Sequence, residues 1–214
     1  MGIEASLPLT VDAMTRGQIA RRRKLLDAVV QLVAEVGPER VQMRDVAERS
    51  GVALGTAYRY FSSKDHLLAA AMSDWQERLA DRVLAESAGR AAKPAEADGS
   101  PLERVLRYVR REITGFQRQR PFAELMVGII VSTDPFASEA IEEMSRRSSQ
   151  VMDALMEGVD PEVARVSRLA IEAVLMSELT SWVTGRSTIA EVFERTEAVT
   201  RLVLADYDDR AVTG

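Results

Sequence analysis

The 214-residue chain has no cysteine, one histidine and an aromatic content of only 5%. Without cysteine there are no disulfides and no thiol chemistry, and a zinc site loses its commonest ligand. The single histidine, His66, is flanked by Ser62, Ser63 and Asp65, which read better as helix caps than as members of a catalytic triad. No glycine-rich phosphate loop and no metal-ligand spacing occur. Catalytic residues, metal ligands and cofactors are therefore expected to be absent, and the chain is not expected to be an enzyme. No apolar run approaches the ~20 residues of a membrane span. The first ten residues lack the positive charge that precedes the apolar core of a secretory signal. A cytoplasmic protein with no membrane partner is expected. Strand alternation and internal repeats are also missing.

What the chain has is helical periodicity. Ala, Leu, Val, Glu and Arg dominate a 46% apolar composition, which favours an all-α fold. Residues 1–15 show no periodicity and are expected to form a disordered arm. Helices are predicted over 18–36, 43–50 and 54–60, then from a cap at Ser62 or Ser63 to about 86. The small, polar stretch 87–100 is predicted as a loop. Five more helices follow: 101–119, 121–132, 137–158, 161–185 and 188–206, with Gly37-Pro38, Asp134-Pro135 and Gly185 as breaks. These nine helices divide into a head at 16–66 and a body at 67–210.

Residues 41–67 carry the clearest functional signal. Val41, Val46, Ala47, Val52, Ala57, Phe61 and Leu67 can close one small core, and Gly51 stands where a left-handed cap must end the first short helix. The second short helix offers Leu54, Gly55, Thr56, Tyr58, Arg59 and Tyr60, the layout of a helix-turn-helix whose second helix enters the DNA major groove. Gly55, without a Cβ, allows close backbone approach to a phosphate. Tyr58 and Tyr60 can reach phosphates or thymine methyls, and Lys64 can neutralise a phosphate. Arg44 and Arg59 suit a guanine edge, because the guanidinium fork matches O6 and N7. Either Tyr60 or Phe61 can instead be core, Phe61 the better candidate.

Charge supports this reading. Net charge is −5, yet Arg16, Arg21 to Lys24, Arg40, Arg44, Arg49, Arg59 and Lys64 make the head net basic, and the remainder is net acidic.

The run Val52-Ala-Leu-Gly-Thr-Ala-Tyr-Arg-Tyr-Phe-Ser-Ser-Lys-Asp-His-Leu67 resembles the recognition segment of tetracycline-repressor-type (TetR family) bacterial transcriptional regulators. Arg23 to Gly37 resembles that family's first helix, and the match covers about residues 18–70. Gln42 departs from the Thr that usually caps the next helix and is a poorer cap. The Gln42-Met43-Arg44 sequence and the tyrosine-rich run look most like regulators of steroid or lipid catabolism in actinobacteria.

The resemblance implies a repressor that binds a palindromic operator in double-stranded DNA as a homodimer, its recognition helices ~34 Å apart. It implies pairing of the last two helices across the dimer axis, which suits the apolar 170–184 stretch with its small residues Ala173, Ser177, Thr180, Ser181 and Thr184. It also implies an inducer pocket in the body. Met126, Met144, Met152 and Met176 adapt to irregular shapes. With Trp75, Leu79, Val109, Phe116, Ile130 and Trp182 they are the candidate lining for a small hydrophobic effector, a lipid, a sterol or an acyl-CoA thioester. A nucleoid-associated or adaptor protein of the same fold, binding DNA without an inducer, is the alternative.

Overall fold

The computed structural model of the protein describes residues 14–90 and 99–208. Among them there are nine α-helices, two short 3-10 turns and no strand, and no helix is long and apolar enough to cross a membrane. Residues 1–13 of the expected arm lie outside the described residues. Met14 and Thr15 depart from it: Met14 is buried, and Thr15 forms a capping box with Gln18 that starts α1 (Arg16–Val36) two residues earlier than periodicity suggested.

After a 3-10 turn at Pro38–Arg40 come α2 (Met43–Ser50) and α3 (Leu54–Tyr60). Gly51 ends α2 in the left-handed region at φ 67°, and the Val52 N–H reaches back to the Ala47 carbonyl at 3.2 Å. That is the expected left-handed cap. Gln42 makes no side-chain capping bond to α2. The Ser63 hydroxyl accepts from the His66 N–H at 2.9 Å and so caps α4 (Lys64–Arg90). This helix continues into the stretch expected as a loop from 87. Residues 91–98 of that loop lie outside the described residues.

The remaining helices are α5 (Pro101–Arg118), α6 (Arg120–Ile130), α7 (Pro135–Leu155), α8 (Pro161–Val183) and α9 (Ile189–Val203). The Asp134-Pro135 break is also a start: Asp134 Oδ1 accepts from the N–H groups of Phe136 and Ala137, both at 2.9 Å. α7 therefore begins two residues before the periodic pattern does.

Contacts divide the chain into two units, 1–77 with 124–143 and 78–123 with 144–214. In the first, α1 packs on α2 and α3, and all seven apolar positions named for the small core are buried. Ile19, although apolar and near the start of α1, is 47% exposed. In the second, Leu102, Val105, Leu106, Val109, Ile113 and Phe116 form the buried stripe of α5, and α9 packs against both α5 and α8. A two-pronged Arg110–Glu197 pair, 2.6 Å at each bond, ties α5 to α9. Arg104 holds the end of α7 through the carbonyls of Leu155 and Glu157, each at 2.8 Å.

Candidate nucleic-acid interface and effector region

α3 has seven residues and two faces. Ala57 and Tyr60 turn inward; Leu54, Gly55, Tyr58 and Arg59 turn outward, and Thr56 lies between. The outward set repeats at a spacing of four, as one face of a helix must. Tyr58 is 48% exposed and Tyr60 only 2%. Tyr60 is thus a core residue rather than a DNA contact, because helical spacing sends 57 and 60 to the side that packs on α1 and α2. Phe61 is fully buried as well.

Gly55 is informative for what it does not need. Its φ is not positive, and a Cβ there would meet no atom within 4 Å. Neither backbone conformation nor packing among the described residues calls for glycine there.

The cations of the head fall into two classes. Arg23 pairs with Asp74 at 2.8 Å, Arg49 with Glu35 at 2.6 Å, and Arg40 donates to the Val36 carbonyl at 2.6 Å. Arg22 lies over the Phe61 ring, 5.2 Å from its centroid. These hold the head together. Arg16, Arg21, Lys24, Arg44 and Arg59 are exposed and make no hydrogen bond or ion pair among the described residues. Lys64, expected on a phosphate, donates to the Glu39 carbonyl at 2.8 Å. It closes the 3-10 turn onto the start of α4.

The turn from α3 into α4 holds groups that sequence reasoning took only for caps. The Ser132 hydroxyl donates to Asp65 at 2.6 Å, and the Ser63 hydroxyl bonds the Asp134 carboxylate. His66 stacks on Phe136, with centroids 5.7 Å apart and planes at 18°, and meets Phe61 edge-on at 5.4 Å. Burial, with the nearby Arg22, lowers the His66 pKa against the opposing pull of Asp134 and Glu139. No sequence pattern links residues 61–66 to 132–136; only the fold does.

The effector candidates do not all fall in one unit. Trp75, Met126 and Ile130 belong to the first; Leu79, Val109, Phe116, Met144, Met152, Met176 and Trp182 belong to the second. Val109, Phe116, Met144 and Met152 are buried, and Met176 and Leu79 half-buried. Trp182 is buried, with Arg120 over its ring at 5.0 Å. Ile130 departs from an interior position: it is 44% exposed, next to the more exposed Val131, because α6 ends there.

Polar groups link the helices that carry this set. Tyr108 of α5 hydrogen-bonds Ser148 of α7, Ser148 lies 3.4 Å from Glu172 of α8, and Arg168 of α8 lies 3.8 Å from Asp153 of α7. Glu112, one turn along α5, and burial together push the Tyr108 hydroxyl far above its ordinary range. Burial raises Glu172, with Arg168 opposing. Sequence reading missed this cluster because Tyr108 and Glu112 sit on what looks like the solvent side of an amphipathic helix.

The model of the bacterial regulatory proteins of the tetR family matches residues 25–71. The transcriptional repressor KstR of Rhodococcus jostii RHA1 is 34% identical over 204 residues, 93% of this chain and 90% of that protein. KstR of Mycobacterium tuberculosis is 31% identical over 199 residues, 91% and 85% of the two chains. Among solved structures, a transcriptional regulator from Rhodococcus sp. RHA1 superposes with a TM-score of 0.71 at 27% identity, covering 88% of this chain and 97% of that one. Bacillus subtilis FadR, solved in complex with stearoyl-CoA, shares the fold, with a TM-score of 0.62 at 18% identity over 86% and 97% of the chains.

Proposed function

Because the chain belongs to the TetR family of bacterial transcriptional regulators, we propose that it represses by reading a palindromic operator as a dimer, and that a hydrophobic effector releases it. It is a DNA-binding regulator and not an enzyme. The observation that carries the reading is the outward face of α3, where Tyr58 and Arg59 stand exposed and Arg59, like Arg44 on α2, is unpaired. Exposed guanidinium groups with no partner among the described residues are available for a base edge, and the other cations without such a partner, Arg16, Arg21 and Lys24, for phosphates.

One such helix reads too few base pairs, so the operator is two half-sites on one face of the duplex. The dimer contact fits α8 and α9. Val166, Leu169, Ala173 and Ser177 are exposed on α8 at helical spacing, and Ala198 and Leu202 on α9; Leu202 is 77% exposed. An apolar stripe of this kind needs a partner, and small residues in it permit close helix approach.

The effector is a lipid, sterol or acyl thioester, held by apolar side chains of α5, α7 and α8. Tyr108, Ser148 and Glu172 offer hydrogen bonds to one polar group of an otherwise apolar molecule. Stearoyl-CoA, the molecule held by FadR, is a direct probe. Release requires that the effector bind one conformational state more tightly than the other.

The test is selection of bound duplexes from a random pool, followed by titration of the selected DNA with stearoyl-CoA, palmitate and cholesterol. An enriched inverted repeat, released by one of these, is expected. Enrichment of no sequence favours the nucleoid or adaptor reading, and a selected operator that none of them releases counts against the lipid effector.

A further inference from the structure

We propose that the corner between α6 and α7, residues 132–136, sets the orientation of the recognition helix through Ser132, Asp134 and Phe136, which touch no DNA themselves. The inference rests on the operator-reading function above.

α3 has little of its own to hold it. A helix of seven residues is far below the length at which isolated helices persist, and its N-cap, Ala53, supplies no side-chain bond. α2 before it has none either. The C-terminal end is different. The Phe61 N–H closes the last turn on the Ala57 carbonyl at 2.9 Å, and its ring is fully buried.

Every residue from there to the first turn of α4 is engaged, and most of the links lead to the corner. Asp65 accepts from the Ser132 hydroxyl at 2.6 Å. Ser63 bonds the Asp134 carboxylate. His66 lies against Phe136 on one side and Phe61 on the other. Its Nδ1 accepts from the Ser62 N–H at 3.2 Å, so the backbone of the same turn fixes the ring plane. The corner is tied internally too, since the Ser132 hydroxyl accepts from the Asp134 N–H at 3.2 Å.

A shift of the corner therefore carries Phe61, and with it the end of α3. Shifting the corner strains these contacts, because stacked rings and short charge-assisted hydrogen bonds each have a preferred geometry. Phosphate contacts from exposed cations tolerate small rotations of the head; base contacts do not.

The test uses the full chain, the selected operator and a random duplex of equal length, with thermal melting as a check on folding. Ser132→Ala and Phe136→Leu are expected to lower operator affinity about fivefold, on the scale of one ordinary intramolecular hydrogen bond, while random-duplex affinity is unchanged. Asp65→Ala should lower operator affinity no more than Ser132→Ala, which also loses the Asp134 N–H bond, and the double variant should be no weaker than the weaker single, because the Asp65–Ser132 bond is lost in each. Unchanged operator affinity at temperatures where the variants are folded overturns the proposal. So does an equal loss on both duplexes, or additive losses at Asp65 and Ser132. If the unmodified protein fails to prefer the operator over random duplex, the operator reading itself falls, a result distinct from any of these.

Discussion

Arg23 of α1 reaches Asp74 of α4 at 2.8 Å, and the two ends of this pair live in different media: Arg23 is half exposed, whereas Asp74 is buried. A buried carboxylate is costly unless its charge is answered, so the pair fixes the angle between the first and fourth helices. Arg23→Ala should lower stability by about 1.5–3 kcal/mol, the usual range for a hydrogen bond to a charged group. Asp74→Ala should lower it less, because it leaves a half-exposed guanidinium that water can solvate rather than a buried carboxylate without its partner. Chemical denaturation of the two variants checks both. Unchanged midpoints would show that the pair is a surface ornament.

The two tyrosines of α3 should separate cleanly. Tyr60→Ala removes a buried ring and should cost about 3–5 kcal/mol, as large aromatic truncations in cores do. Tyr58→Ala should leave the melting temperature nearly unchanged and weaken DNA binding. A melting curve and a binding isotherm for each variant make the comparison.

Gly55→Ala tests whether the backbone there meets DNA. With helical geometry and open space around the added methyl, the substitution should keep or raise stability by about 0.5–1 kcal/mol. Operator affinity should nonetheless fall. Equal affinity would mean that nothing approaches the backbone at 55.

Stability should depend on pH through His66. Burial favours its neutral form in the fold, while the unfolded chain protonates near the ordinary value of about 6.5. As pH drops below that value the unfolded state gains the proton first, so stability falls with pH until the lower folded value is reached. Above about pH 7 the contribution is flat. Denaturation at pH 7.5, 6.5 and 5.5 should show the loss, and His66→Gln should shrink the part of it that lies above the carboxylate range.

The α8–α9 stripe predicts an oligomer. Leu169→Glu and Leu202→Glu place charges on exposed positions, so neither should unfold the subunit. Each should shift sedimentation from dimer to monomer and lower operator affinity with it, because two half-sites are no longer bound together. A dimer that persists in both variants would put its interface elsewhere.

Most of the helices were legible in the sequence because their signals are local. Gly51, Asp160 and Thr188 mark ends and starts that any chain with those residues would favour, and the α5 stripe repeats at helical spacing. The miss at Tyr60 has a clear cause: tyrosine suits both a phosphate and a core, and a helix of seven residues gives too few turns to decide the inward face. Lys64 was similarly ambiguous, since an ammonium group serves a backbone carbonyl as well as a phosphate.

Periodicity, caps and the tyrosine-rich run between Val52 and Leu67 by themselves determined an all-helical chain with a DNA-reading head, because each depends on residues within a turn or two of one another. Only the tertiary structure decided which cations are free and which are braces. Arg23 finds its carboxylate 51 residues away and Asp65 its hydroxyl 67 residues away. No local spacing encodes such pairs: they exist because packed helices bring distant polar groups together at part-buried positions.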